Sequence, residues 1–165
     1  MKCVKFAAAI ALCLGVGQAF AQTCAAPLAL TSAGVTGVNG CAAGTTNTVG
    51  LVCGFTDNAS QDTIFSLTIG AGFTATQITL TTTTATYTPQ LILQGACGST
   101  TECQATATGP AGGPATLAFA GADPAVGPGT LYLIVNGQGG AADCGTFSLA
   151  VNGTLPVQLQ KFSVD

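Results

Sequence analysis

Eight cysteines and six carboxylates are the groups through which this 165-residue chain could do chemistry, since it has no histidine and no arginine. The cysteines are Cys3, Cys13, Cys24, Cys41, Cys53, Cys97, Cys103 and Cys144, with Cys97 and Cys103 close together in "LILQGACGSTTEC". Zinc sites are built on tight C-x2-C or C-x4-C pairs, often with histidine partners. Thiol redox sites use C-x-x-C beside positive charge. Neither pattern occurs. Without histidine there is no base for a Ser-His or Cys-His hydrolase, and without arginine no guanidinium clamp for an oxyanion or phosphate. The formal remainder is a carboxylate pair acting on a glycoside, Asp57 with Asp62 or Glu102 with Asp123. Nothing in their spacing singles them out, so no catalytic residue is assigned and no cofactor is expected. Asp57 and Asp62 in "DNASQD" are also the candidate calcium ligands, although Asn and Asp there serve equally as turn formers.

The first residues indicate export. Lys2 and Lys5 precede the apolar segment "FAAAIALCLGVGQAF", and "AFA" ending at Ala21 is a small-x-small cleavage site, placing the cut between Ala21 and Gln22. The apolar stretch is shorter than the roughly 20 residues of a spanning helix. Neither Cys13 nor Cys24 fits the flanking pattern of an acylated lipoprotein cysteine. Residues 1–21 are thus read as a signal peptide, 22–154 as one β-domain and 155–165 as a C-terminal strand or tail. No membrane insertion is expected after cleavage. An exported chain with Cys24, Cys41, Cys53, Cys97, Cys103 and Cys144 left over points to three disulfides. Cys97 with Cys103 would close a small loop worth roughly 2 kcal/mol by chain entropy. The other four cysteines allow three pairings, of which Cys24 with Cys41 and Cys53 with Cys144 is the one expected.

Removal of Lys2 and Lys5 leaves Lys161 against six carboxylates. Nucleic-acid and anionic-membrane binding, which rest on clustered Lys and Arg, are disfavoured. Charged residues are 5% of the chain, far below the roughly 25% of an ordinary soluble domain, so Thr, Ser, Asn, Gln, Gly and Ala must cover the surface.

The elements that position these groups are strands, because alternation of period two recurs along the chain. Phe65, Leu67 and Ile69 share one face of "TIFSLTIG", with Ser66 and Thr68 on the other. Ile78 with Leu80, Leu91 with Leu93, and Leu117 with Phe119 repeat the pattern, as do Leu131, Leu133 and Val135, then Phe147, Leu149 and Val151. The threonines Thr81 to Thr84 read as part of a strand. Asn-Gly at Asn39, Asn136 and Asn152, with "GPAGGP" and "GADPAVGPG", supplies turns. The expected fold is all-β: an antiparallel, jelly-roll-like β-sandwich of about eight or nine strands, stapled by disulfides. "NAS" at Asn58 and "NGT" at Asn152 match the glycosylation pattern, but the leader looks bacterial and the turn reading is preferred.

The succession "QDTIFSLTI", "TPQLILQGACGSTTEC" and "GPGTLYLIVNGQGGAADCGTFSLAV" resembles the bacterial pre-peptidase C-terminal domain and its cysteine-containing relatives, over Cys24 to Val151. The resemblance implies a jelly-roll-like accessory module of secreted bacterial proteins, serving substrate binding, adhesion or secretion. Gln104, Ala105 and Thr106 replace an Asn-Asp-Asp run of the relatives, and Asn136 replaces an aspartate, which removes carboxylates a calcium site would need. The tail "LPVQLQKFSVD" resembles a segment that precedes sorting signals in some secreted proteins.

Two functions of different class are expected. One is a secreted, non-catalytic module binding an extracellular polymer or protein surface, with Tyr87, Tyr132 and the loops as contact area. The other is a structural subunit joining copies of itself into a filament or matrix through the strand at 155–165.

Overall fold

The computed structural model describes residues 23–42, 53–55, 59–69, 76–119 and 129–153. The expected signal peptide with its Ala21/Gln22 junction, Asp57, Asn58, Asp123 and the segment 155–165 lie outside these residues. Among the described residues there are nine strands: β1 (Leu28–Ala29), β2 (Val35–Asn39), β3 (Thr63–Ile69), β4 (Thr76–Thr82), β5 (Pro89–Gln94), β6 (Ala105–Thr108), β7 (Ala115–Phe119), β8 (Gly129–Gly137) and β9 (Thr146–Asn152). They form a five-stranded sheet in the order β1-β3-β8-β5-β6 and a four-stranded sheet in the order β2-β9-β4-β7. Strands β2 to β9 thereby take the eight-strand jelly-roll order, every connection except β5–β6 crossing from one sheet to the other. All neighbours among these eight are antiparallel. The departure is β1, which runs parallel to β3 with Leu28 opposite Phe65. Its pairing continues past the strand, where Leu30 N donates to Ser66 O at 2.9 Å.

The period-two alternation predicts the core. Phe65, Leu67, Ile69, Ile78, Leu80, Leu91, Leu93, Leu117, Leu131, Leu133, Val135, Phe147 and Leu149 are buried between the sheets, with Val151 half-buried at the rim. Phe147 sits at the centre. It meets Phe65 edge-on at 6.3 Å between ring centroids and stacks with Tyr87 at 6.5 Å, spacings that suit aromatic pairs.

The threonine run is only partly a strand. β4 ends at Thr82, and Thr84 N donates to Thr82 Oγ1 at 3.0 Å while Thr146 N donates to Thr84 Oγ1 at 3.1 Å. These hydroxyls compete successfully for backbone partners and turn the chain out of the sheet. Asn136-Gly137 is likewise no turn: it is the last pair of β8, opposite Gln90 and Pro89. The turn between β6 and β7 does need a glycine, since Gly112 has φ +67° and its N–H reaches Tyr87 O at 2.8 Å. A Cβ there would meet Ala85 O at 2.8 Å.

Candidate functional site: a pinned loop on a covered sheet face

The outer face of the five-stranded sheet is not the polar surface that alternation predicts. Ile64 on β3, Ile134 on β8 and Ile92 on β5 are paired in register and form one row across three strands. All three are buried. They are covered by half-buried Cys24, Cys53, Phe55, Cys97 and Tyr132, so this sheet carries a buried apolar row on its outer face as well as the core on its inner one. The same pattern explains the disulfides, because the segments carrying Cys24 and Cys53 cross this face to cover the isoleucines and meet the β5–β6 loop there.

The bridges are Cys24–Cys97, Cys41–Cys144 and Cys53–Cys103, with Cα atoms 5.6, 5.3 and 5.3 Å apart, within the ordinary range for disulfides. None of the expected pairs Cys97–Cys103, Cys24–Cys41 and Cys53–Cys144 forms. Cys97 and Cys103 flank one loop, but each is taken by a different covering segment. The Cys41–Cys144 bridge follows from register: Asn39 pairs with Thr146, Gly40 N donates to Gly145 O at 3.0 Å, and the two cysteines sit just beyond.

The loop from Gly95 to Gln104 is therefore pinned at two points to remote parts of the chain. Gln94, fully buried at the end of β5, holds it from beneath. Its Nε2 donates to Ser99 O at 2.6 Å and its Oε1 accepts from Gly98 N at 3.0 Å. Ser99 Oγ accepts from Glu102 N at 3.0 Å and Thr101 N at 3.3 Å, and Ser99 N donates to Ala96 O at 3.2 Å. Gln104 N returns to the sheet through Leu93 O at 2.9 Å. These bonds hold the middle of the loop against the end of β5, while Ala96, Gly98, Thr100, Thr101 and Glu102 are exposed at its tip. Bound from both sides, the tip loses little conformational entropy on meeting a partner.

No family model matches the chain, no curated protein matches its sequence, and no solved structure matches its fold.

The other residues read as candidates from the sequence fall elsewhere. Asp62 is fully buried beside the start of β3. Among the described residues no group of three or more His, Cys, Asp or Glu could hold a metal ion. Asp143 is a turn former: Oδ1 accepts from Thr88 N at 3.0 Å and Oδ2 from Gly139 N at 2.6 Å. Tyr87 is not an exposed contact residue. It lies in the core, and its hydroxyl donates to Asn136 O at 2.8 Å. Burial, reinforced by the negative charges of Asp143 and Asp62, pushes its hydroxyl well above the ordinary tyrosine range. Tyr132 is half-buried against the isoleucine row, a packing role before a contact role. Gln94, which sequence reasoning passed over, is the residue that shapes the loop; its only sequence signal is a polar side chain closing an apolar run.

Proposed function

We propose that the protein is an exported, non-catalytic β-sandwich module that binds an extracellular polymer or protein surface through the tip of the Gly95–Gln104 loop. The observation that carries this reading is the anchoring of the loop by Cys24–Cys97, Cys53–Cys103 and the two hydrogen bonds of Gln94. A surface held in one shape recognises by complementarity and does not need reactive groups. Disulfide-dense construction supports an oxidising, extracellular setting, and the jelly-roll order supports the resemblance to the pre-peptidase C-terminal domain. The test is an array of extracellular polysaccharides and matrix proteins, probed with the wild type and with a T100A/T101A/E102A variant that leaves Gln94, Ser99 and the cysteines in place. Binding by the wild type and its loss in the folded variant are expected. Folded wild-type protein that binds nothing, or a variant that binds equally well, defeats the proposal.

An assembly role is the second reading, favoured by β7. This edge strand of the four-stranded sheet presents Thr116 and Ala118 and carries no charge, whereas natural edge strands are commonly guarded by charge. Deleting Leu155 to Asp165 should then abolish assembly; an unchanged size distribution rejects it.

A further inference from the structure

The chain contains three Asn-Gly pairs, Asn39-Gly40, Asn136-Gly137 and Asn152-Gly153, and the fold places them in three different chemical situations. An asparagine followed by glycine can cyclise, because the small residue lets its backbone nitrogen approach the side-chain amide carbon. The reaction needs a main-chain nitrogen that can leave its hydrogen bond and a side chain that can swing onto it.

Two of the three pairs are held. Gly40 N donates to Gly145 O at 3.0 Å, and Asn39 Oδ1 accepts from Cys41 N at 3.0 Å. Nucleophile and electrophile are therefore both tied at the Cys41–Cys144 end of the β2–β9 pair. Asn136 is buried in β8, and Gly137 N donates to Ser60 Oγ at 3.0 Å. The peptide between them is anchored as well, through the Tyr87 hydroxyl on Asn136 O at 2.8 Å.

Asn152 differs on every count. It is exposed at the end of β9, its pairing with Gln77 being the last of the ladder. Gly153 is exposed with φ +123°, a backbone conformation that only glycine adopts readily. Neither the Asn152 side chain nor Gly153 N makes a hydrogen bond within the described structure.

We infer that Asn152 is a spontaneous modification site, converted through a cyclic imide to aspartate and isoaspartate while Asn39 and Asn136 are protected by the fold. Gly153 N, losing its proton to solvent base, attacks Asn152 Cγ. The new C–N bond forms as the Cγ–Nδ2 bond breaks, and ammonia leaves with the protons it needs. Water then opens the ring. Addition at the side-chain carbonyl restores a normal main chain with aspartate, and addition at the main-chain carbonyl routes the chain through Cβ as isoaspartate. Water is the only other reactant. Either product adds one negative charge to an outer sheet face on which Gln77, Thr79, Thr81, Thr116, Ala118 and Ala150 are all neutral. The isoaspartate form also adds one backbone carbon between β9 and the residues that follow.

The test is incubation of the disulfide-intact protein in mildly alkaline buffer, followed by peptide mapping with mass spectrometry and an isoaspartate assay. A reduced and denatured sample serves as reference, in which all three pairs should react. In the folded protein Asn39 should react roughly thirtyfold more slowly than Asn152, because two hydrogen bonds must open first. Asn136 should be slowed on the order of 10³-fold or more, since β8 must unfold. The acidic species should vanish in N152Q. Comparable conversion at all three sites in the folded protein overturns the inference, as does an unconverted Asn152 in a sample whose denatured reference reacts.

Discussion

Replacing Cys41 and Cys144 together by serine tests the strongest departure of the structure from expectation, the threading of all three bridges across the domain. Taken alone, Cys41–Cys144 spans 103 residues, for which chain entropy gives about 4.7 kcal/mol. The other bridges shorten that path. From Cys41 the chain runs 12 residues to Cys53, crosses the Cys53–Cys103 bridge, and runs 41 more to Cys144. A loop of about 53 residues corresponds to about 4 kcal/mol. Against the 5–15 kcal/mol of a typical domain, the double variant should remain folded but marginal, with a urea midpoint lower by about 2 M. A local Cys97–Cys103 bridge would instead have contributed roughly 2 kcal/mol, and its presence would leave Cys24 and Cys53 seeking other partners. Urea titration together with non-reducing peptide mapping decides the matter. A loss below about 1 kcal/mol, or a peptide closed between Cys97 and Cys103, would show the reasoning to be wrong.

Ile134→Ala, on the outer face of the five-stranded sheet, should cost about 2–5 kcal/mol as a core truncation does, whereas Thr116→Ala on the exposed face of the other sheet should change stability by less than about 0.5 kcal/mol; chemical denaturation compares the two. Gln94→Ala removes both hydrogen bonds beneath the loop and should cost about 1–3 kcal/mol, with hydrogen exchange at Gly98 accelerated while β8 amides are unaffected. The raised Tyr87 hydroxyl carries a pH signature of definite sign. The unfolded chain ionises near the ordinary tyrosine value of 10.0 while the folded chain still holds its proton, so stability is constant below that pH and falls as pH rises above it, by up to about 1.4 kcal/mol per unit. Tyr87→Phe should remove this slope, measured as urea midpoint against pH; a slope that survives the substitution assigns it to another group.

Much of the fold was legible in period-two alternation. The inward set from Phe65 to Leu149 is found where the pattern places it, because one face of each strand must be apolar to fill a sandwich. The outer isoleucine row was passed over, though a signal exists: "LIL" at 91–93 and "LIV" at 133–135 are unbroken apolar runs, which mark strands buried on both faces. Alternation read on Leu91 and Leu93 leaves Ile92 unexplained. Disulfide partners were not legible for a related reason. Covering that face brings Cys24 and Cys53 to the β5–β6 loop, and such pairing depends on tertiary packing that no local spacing encodes. Tyr87 offered no clue either, since its burial depends on Phe147 and on the carbonyl of Asn136, both distant in the chain. The loop "GACGSTTEC" reads in sequence as closed on itself by Cys97 and Cys103; its two anchors on remote segments and the role of Gln94 required the structure.

The bridging pattern sets how the chain responds to a single cut. Cys24, Cys41 and Cys53 are each joined to one of Cys97, Cys103 and Cys144, so every bridge crosses the stretch between Cys53 and Cys97. A peptidase that cuts the main chain once anywhere in that stretch severs the polypeptide without releasing a fragment. The two pieces stay tethered three times over, with β3, β4 and β5 still held to their partners by sheet hydrogen bonds, and the nick becomes visible only after reduction.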